Sequence, residues 1–197
     1  IMEGATIRGP LAVGERSTIK MGAKVYGATT LGPHCKIGGE VKNAIMQGYS
    51  SKSHEGYLGD AAIGEWCNLG ADTNNSNLKN NYEDVKMWNY GTQSFAKTGM
   101  QFCGLVMGDH SKTGINTMLN TGTVVGISAN VFGSDFPRNF IPSFAWGGNK
   151  GFQTHRADKA FETMERVMAR RSVDFGVEDR IIMLRVFEDT AKYRNWE

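Results

Sequence analysis

Aliphatic residues return at every sixth position from the start of the chain: Ile1, Ile7, Val13, Ile19, Val25, Leu31 and Ile37. The positions two residues earlier are mostly small (Ala5, Ser17, Ala23, Thr29 and Cys35), with Leu11 the exception. The count slips after Ile37 and resumes at Ile63 and Leu69, preceded by Ala61 and Cys67. It returns as Met107, Thr113, Leu119, Val125 and Val131, preceded by Leu105, Ser111, Thr117, Thr123 and Ala129. A period of six matches neither the helical repeat nor plain strand alternation. It suits a hexapeptide parallel β-helix, in which a short strand and a turn alternate and three hexads close a triangular coil. Residues one coil apart, such as Ile1, Ile19 and Ile37, then stack in ladders, and successive coils pair as parallel strands about 4.8 Å apart. The aliphatic residue points into the prism, the small one fits near a corner and the polar positions between face out. A β-sandwich with coincidental spacing is the competing reading.

The interruptions divide the chain. Between Ile37 and Ile63 the count is imperfect, and this window holds Lys42, His54 and Tyr57. Residues 71–105 lose the period and are rich in Asn, Gly and Lys, which predicts an extruded loop. A loop of this length is uncommon unless functional, and it is expected to fold over another surface, a neighbouring subunit being one candidate. Within it, Asn89-Tyr90-Gly91, flanked by Val85, Met87, Trp88 and Phe95, predicts a small hairpin. The repeat is assigned to residues 1–136. Residues 137–197 are read as an aromatic strap followed by helices. Thr154 is the expected N-cap of a helix carrying Ala157, Phe161, Met164 and Met168 on one face, and Gly176 separates it from a second helix. These helices are expected to cap the open end of the solenoid.

Composition narrows the class. The chain has 197 residues, 40% of them hydrophobic, enough for one cored domain and an appendage. A net charge of +2 with both signs mixed suggests neither nucleic acid nor an acidic partner. Against 25 glycines there are 4 prolines, so glycine serves backbone geometry. Cys35, Cys67 and Cys103 are odd in number and widely spaced, which fits a reducing, cytoplasmic compartment and no disulfide framework. No apolar run approaches the roughly 18 residues of a membrane span, and no signal peptide is expected. The first residue is Ile, which suggests a fragment of a longer protein.

Of the four histidines, 34, 54, 110 and 155, no two lie close enough in sequence to suggest a metal site, and no G-x-S-x-G is present. His54 differs from the others in standing where the repeat resumes, within one coil of Lys42, Tyr57 and Asn68. A histidine with a pKa of about 6.5 can accept a proton from an attacking amine or hydroxyl at neutral pH. A lysine and a tyrosine beside it could hold a phosphate or sugar hydroxyls. The plainer readings are surface charge for Lys42 and Lys86, a core aromatic for Tyr57, and turn residues for Asn68, Asn74, Asn75 and Asn77.

The stretch from "EVKN" (40–43) through "SKSHEGYLGDAAIGEWCNLGADTNNSN" (51–77) resembles the acetyltransferase half of the bifunctional N-acetylglucosamine-1-phosphate uridyltransferase/glucosamine-1-phosphate N-acetyltransferase family. The wording is closest to the sugar nucleotidyltransferase form of Bacteroidetes-type bacteria and archaeal relatives. The resemblance is specific over about 40 residues and otherwise follows the general hexad. It implies a mainly β fold, a left-handed parallel β-helix of hexapeptide repeats, that works as a homotrimer with sites between subunits. It implies acetyl-CoA as cofactor and glucosamine-1-phosphate as acceptor, in UDP-N-acetylglucosamine synthesis. His54 would be the general base; Lys42, Tyr57 and Asn68 would hold the sugar phosphate, and Lys86 would stand in for a loop lysine. Asn77 would order the acetyl end of the site and Ala71 would offer backbone to the cofactor. The family's phosphate-binding arginine one coil earlier has no counterpart, Lys24 being the nearest cation. The loop after Asn77 is longer than usual, and the nucleotidyltransferase half is expected to precede Ile1. Two rival readings are transfer to another sugar phosphate and a non-catalytic trimerising domain. Phe144 and Trp146 could stack on the cofactor's adenine or pack at an interface.

Overall fold

The hexads build a parallel β-solenoid with three walls, seen in a computed structural model that describes residues 1–196. Wall 1 stacks Thr6–Arg8, Lys24–Tyr26 and the first halves of Glu40–Met46 and Tyr57–Ile63, followed by Asn74–Asn75 and Met118–Leu119. Wall 2 stacks Leu11–Val13, Thr29–Leu31 and the second halves of the same two long strands, then Leu105–Met107, Thr123–Val125 and Phe140–Ile141. Wall 3 stacks Thr18–Ile19, Lys36–Ile37 and Ser51–Lys52, then Lys112–Thr113, Asn130–Val131 and Ala145–Gly148, with Asn68 bridging Ser51 and Lys112. The inward residues, among them Ile19, Leu31, Ile37, Leu58, Ile63, Met107 and Val131, form one buried core. Two of these walls carry strands drawn from the aromatic stretch, since Phe140–Ile141 and Ala145–Gly148 continue the stack as its last coil.

The slip in the count has a local cause. Four residues separate Ile19 from Lys24 at the corner between walls 3 and 1, but only Gly38 and Gly39 separate Ile37 from Glu40. At the next corner a single residue, Asn43, separates Lys42 from Ala44 where Gly27 and Ala28 stand one coil earlier. The inward positions therefore fall at Val41, Met46 and Lys52 instead of keeping step with six. The corner between walls 2 and 3 keeps its length and holds Arg16, His34, Tyr49, Trp66, His110, Ser128 and Phe144 at positive φ. Left-handed backbone at every coil brings these side chains into one column. His34, Tyr49 and Trp66 stack face to face at 4.7 and 4.0 Å, and His110 follows Trp66 at 6.2 Å.

The two helices, α1 (Ala157–Ala169) and α2 (Val177–Asp189), lie along this aromatic edge and not over the open end expected from the sequence. Ala160, Met164 and Met168 of α1 bury against Tyr49, Trp66 and Phe144, with Phe187 of α2 edge-on to Phe144. The lengths explain the choice: 13 residues rise about 20 Å, which matches four coils stacked about 4.8 Å apart. The end of the prism is packed instead by Phe152 and Trp196. Thr154 does not cap α1; it belongs to the strand Gly151–Thr154, which folds back on Ala145–Gly148, and Arg156 holds the N-cap position, its guanidinium bonded to Asp158 in the first turn.

The extruded segment leaves wall 1 after Asn75, several residues later than the break in the count, and returns at Leu105. Its hairpin pairs Lys86–Asn89 with Ser94–Lys97, and Asn89 Oδ1 accepts the backbone N–H groups of Gly91 and Thr92 in the turn. Trp88 stacks on Phe140 at 4.1 Å, so the loop covers wall 2 of its own chain.

Candidate active site

Strand register sets the outer surface of wall 1. Lys24, Glu40 and Tyr57 form one outward column, and Tyr26, Lys42 and Gly59 form the next. Gly59 leaves a gap that a Cβ would close, since one built there collides with the Tyr57 ring. The Tyr57 ring lies across that gap, and its hydroxyl accepts a hydrogen bond from Asn77 Nδ2 at 3.0 Å. The same amide donates to Asp60 Oδ2, and Lys42 Nζ stands 3.9 Å from that oxygen. Asn43, at the corner one coil before, donates to Asp60 Oδ1 at 2.6 Å. Phe102, on the returning arm of the loop, places its ring 5.0 Å from Lys42 Nζ. Burial, with Tyr26, Asp60 and Glu40 nearby, pushes the Tyr57 phenol up to about 12, so it stays a hydroxyl across the physiological range. Tyr26 donates its hydroxyl hydrogen to Glu40 Oε1 at 2.5 Å beside this cluster.

His54 stands at the neighbouring corner, between walls 3 and 1, and is exposed. The shortened Gly38–Gly39 turn lies against it; a Cβ on Gly39 would come within 2.9 Å of the His54 carbonyl oxygen. Beneath this corner Lys52 occupies the inward position between Ile37 and Leu69 and is 1% exposed. Its Nζ donates to the carbonyl oxygens of His54 at 2.6 Å and Gly38 at 3.1 Å, tying the two corners together. Burial pulls the Lys52 ammonium down to about 8, with Glu55 and Asp72 opposing that shift. On the next coil Ala71 lies in the matching corner, where Asp72 N–H donates to Glu55 O at 2.9 Å.

Lys42, Tyr57 and Asn77 thus converge on Asp60, with His54 and Ala71 on the adjoining edge. Asn68 lies around that edge, exposed on wall 3 between Ser51 and Lys112. Lys86 stands on the extruded hairpin, in register with Lys97. Lys24 is exposed on wall 1, in register with Glu40. Phe144 is fully buried under α2, while Trp146 is 38% exposed beside His155. Sequence reasoning passed over Asp60 and Lys52. The signal for Lys52 was a lysine six residues before the inward Leu58; that for Asp60 was its place at the end of the "YLGD" run. Among the described residues, no group of three or more His, Cys, Asp or Glu is disposed to hold a metal ion. Among the same residues, no helix is long and apolar enough to cross a membrane.

No family model matches the chain. In sequence it is related to bifunctional GlmU proteins, and the resemblance read from the motif holds. The protein of that name from Trichodesmium erythraeum is 34% identical over 121 residues, covering 60% of this chain and 22% of the relative. That from Methanococcus vannielii is 33% identical over 127 residues, 64% of this chain and 28% of the relative. A bifunctional sugar-1-phosphate nucleotidylyltransferase/acetyltransferase from Sulfurisphaera tokodaii is 33% identical over 99 residues, 49% of this chain and 24% of the relative. The chain therefore spans about a quarter of the length of these relatives. Among solved structures, a point mutant of AntD, an N-acyltransferase from Bacillus cereus, in complex with dTDP and coenzyme A, is 13% identical with a TM-score of 0.43, covering 79% of this chain and 78% of that one.

Proposed function

We propose that this chain transfers an acetyl group from acetyl-CoA to the 2-amino group of glucosamine-1-phosphate, as the acetyltransferase part of a protein that also carries a sugar-1-phosphate nucleotidyltransferase. The observation that carries the reading is the convergence of Lys42, Tyr57 and Asn77 on Asp60 beside the exposed His54 corner, in a chain related to GlmU proteins. In this reading His54 removes a proton from the amine as it attacks the thioester carbonyl carbon. The new C–N bond forms, the C–S bond breaks, and the proton passes to the departing coenzyme A sulfur. Lys42 and the Tyr57 hydroxyl, with Asn68 and Lys86 contributed around the site, hold the sugar phosphate. Asn77 orders the acetyl end, and backbone N–H groups at the corners near Ala71 meet the oxyanion. Rigid strands support such positioning better than loops.

Assembly belongs to the same proposal. Asn68 faces out from wall 3 and Lys42 from wall 1 of one chain, so a site drawing on both is completed by surfaces from neighbouring copies, as in a homotrimer. The outward row Thr30, Ile45, Ala62 and Val106 supports this, because wall 2 is largely aliphatic there, with Ile45 54% exposed.

The test is thiol release from acetyl-CoA, comparing glucosamine-1-phosphate with glucosamine and galactosamine-1-phosphate. Release with the amino sugar phosphates, and its loss by roughly a hundredfold or more in His54→Ala with folding and assembly intact, is the expected result. No turnover with any acceptor in a correctly assembled protein would sink the reading in favour of a non-catalytic trimerising domain.

A further inference from the structure

A concentration of positive charge lies away from wall 1. A groove of about 350 Å³ runs between wall 3 and the C-terminal end of α1, and Lys36, Lys112, Arg170 and Arg171 line it. Ser51 and Ser53 place hydroxyls on its floor, bonded to each other at 2.8 Å. Among the described residues, no carboxylate lines the groove and none of the four cations is in an ion pair. Arg170 and Arg171 suit the negative end of a helix dipole, which accounts for two of the charges. It does not account for Lys36 and Lys112, which come from the opposite wall. Lys112 is held inward by its bond from Nζ to His110 O at 3.0 Å, and burial pulls its ammonium down. Four like charges around one concavity repel each other in a medium of reduced dielectric, and an anion between them removes that cost. Phosphate oxygens suit the mixture of guanidinium, ammonium and hydroxyl donors.

We infer that this groove is a binding site for a phosphate or pyrophosphate group, with Lys36, Lys112, Arg170 and Arg171 as its cations and the Ser51 and Ser53 hydroxyls as neutral donors. It lies on wall 3, around the edge from the Lys42–Tyr57–Asp60 cluster of wall 1; Asn68, assigned above to the sugar phosphate, is the one lining residue the two share, and the binding stands whether or not the chain transfers acetyl groups. The group could belong to a free phosphorylated metabolite or to the phosphates of coenzyme A; the donors recognise the same chemistry in both.

Calorimetric titration of the whole chain with inorganic pyrophosphate at low ionic strength tests the site. One saturable event is expected, weakened about tenfold or more in Arg170→Gln/Arg171→Gln, whose positions at the helix end leave the core untouched, and similarly in Lys112→Met. Lys42→Ala should leave it unchanged. Absence of binding, binding undiminished in the groove variants, or binding lost in Lys42→Ala would each overturn the inference. With binding established, coenzyme A is added as competitor: displacement assigns the groove to the cofactor's phosphates, and simultaneous binding assigns it to a separate phosphorylated ligand.

Discussion

Lys52 shows how one residue can link core packing to the candidate site. Its ladder neighbours are Ile37 and Leu69, so an aliphatic residue would fill the position, yet it carries an ammonium bonded to two main-chain carbonyls. Its folded pKa of about 8 lies below the ordinary lysine value of 10.5. Between these values the unfolded chain binds more protons than the folded one, so stability rises with pH across that window and the cost is fully present below it. Lys52→Met removes this titration. Its thermal midpoint, measured from pH 7 to pH 10 beside the parent, should lose ground to the parent as pH rises; parallel curves would show that the ammonium carries no buried cost. The variant also leaves the Gly38 and His54 carbonyls without their donor, so the His54 corner should loosen, visible as faster amide exchange at Gly39 and Glu55.

At the scale of elements, the aromatic edge is the joint between solenoid and helices. It exists because the corner between walls 2 and 3 puts left-handed residues in register, coil upon coil. His110 sits within it, buried, and its Nδ1 has no hydrogen-bond partner among the described residues. Burial, with Lys112 nearby, drives its pKa down to about 4 from 6.5. Here too the unfolded chain binds more protons between the two values, so this contribution to stability is lost as pH falls from about 6.5 towards 4. His110→Phe, which keeps a ring in the stack, should flatten the fall in thermal midpoint between pH 7 and pH 4. An unchanged acid limb would mean that other groups govern it. The helices should respond together, because Met164, Met168 and Phe187 pack on the same edge.

For the whole molecule, wall 2 has two halves. Its later coils are covered by the hairpin, through Trp88 on Phe140, while Ile45 and Val106 remain 54% and 40% exposed. If the homotrimer forms through this open half, Ile45→Glu should dissociate it, read by sedimentation equilibrium, and should abolish acetyl transfer with the monomer still folded. A trimer unaffected by that charge would move the interface to another wall. The groove on wall 3 should keep its pyrophosphate affinity in the same variant, since all its cations come from one chain.

The period of six and the small residues two places before most of the aliphatics were enough to read a solenoid, because core ladders repeat one local rule. The motif around His54 likewise marked the window that holds the candidate site. What the sequence left open were the places where coils differ in length. The shortened corners at Gly38–Gly39 and Asn43 shift the inward phase and turn Lys52 into the core, and the sequence marks this only by the six-residue spacing from Lys52 to Leu58. Asp60 emerged only when stacking placed Asn43, Lys42 and Asn77 around it. The helices showed their apolar faces in sequence, but their partner was decided in three dimensions, where a column of aromatic corners matched the length of α1 and the prism end did not. Local periodicity is written in nearest neighbours along the chain; the position of Asn68 around the edge from Lys42, and of four cations around one groove, depends on coil register and helix docking, which only the folded molecule sets.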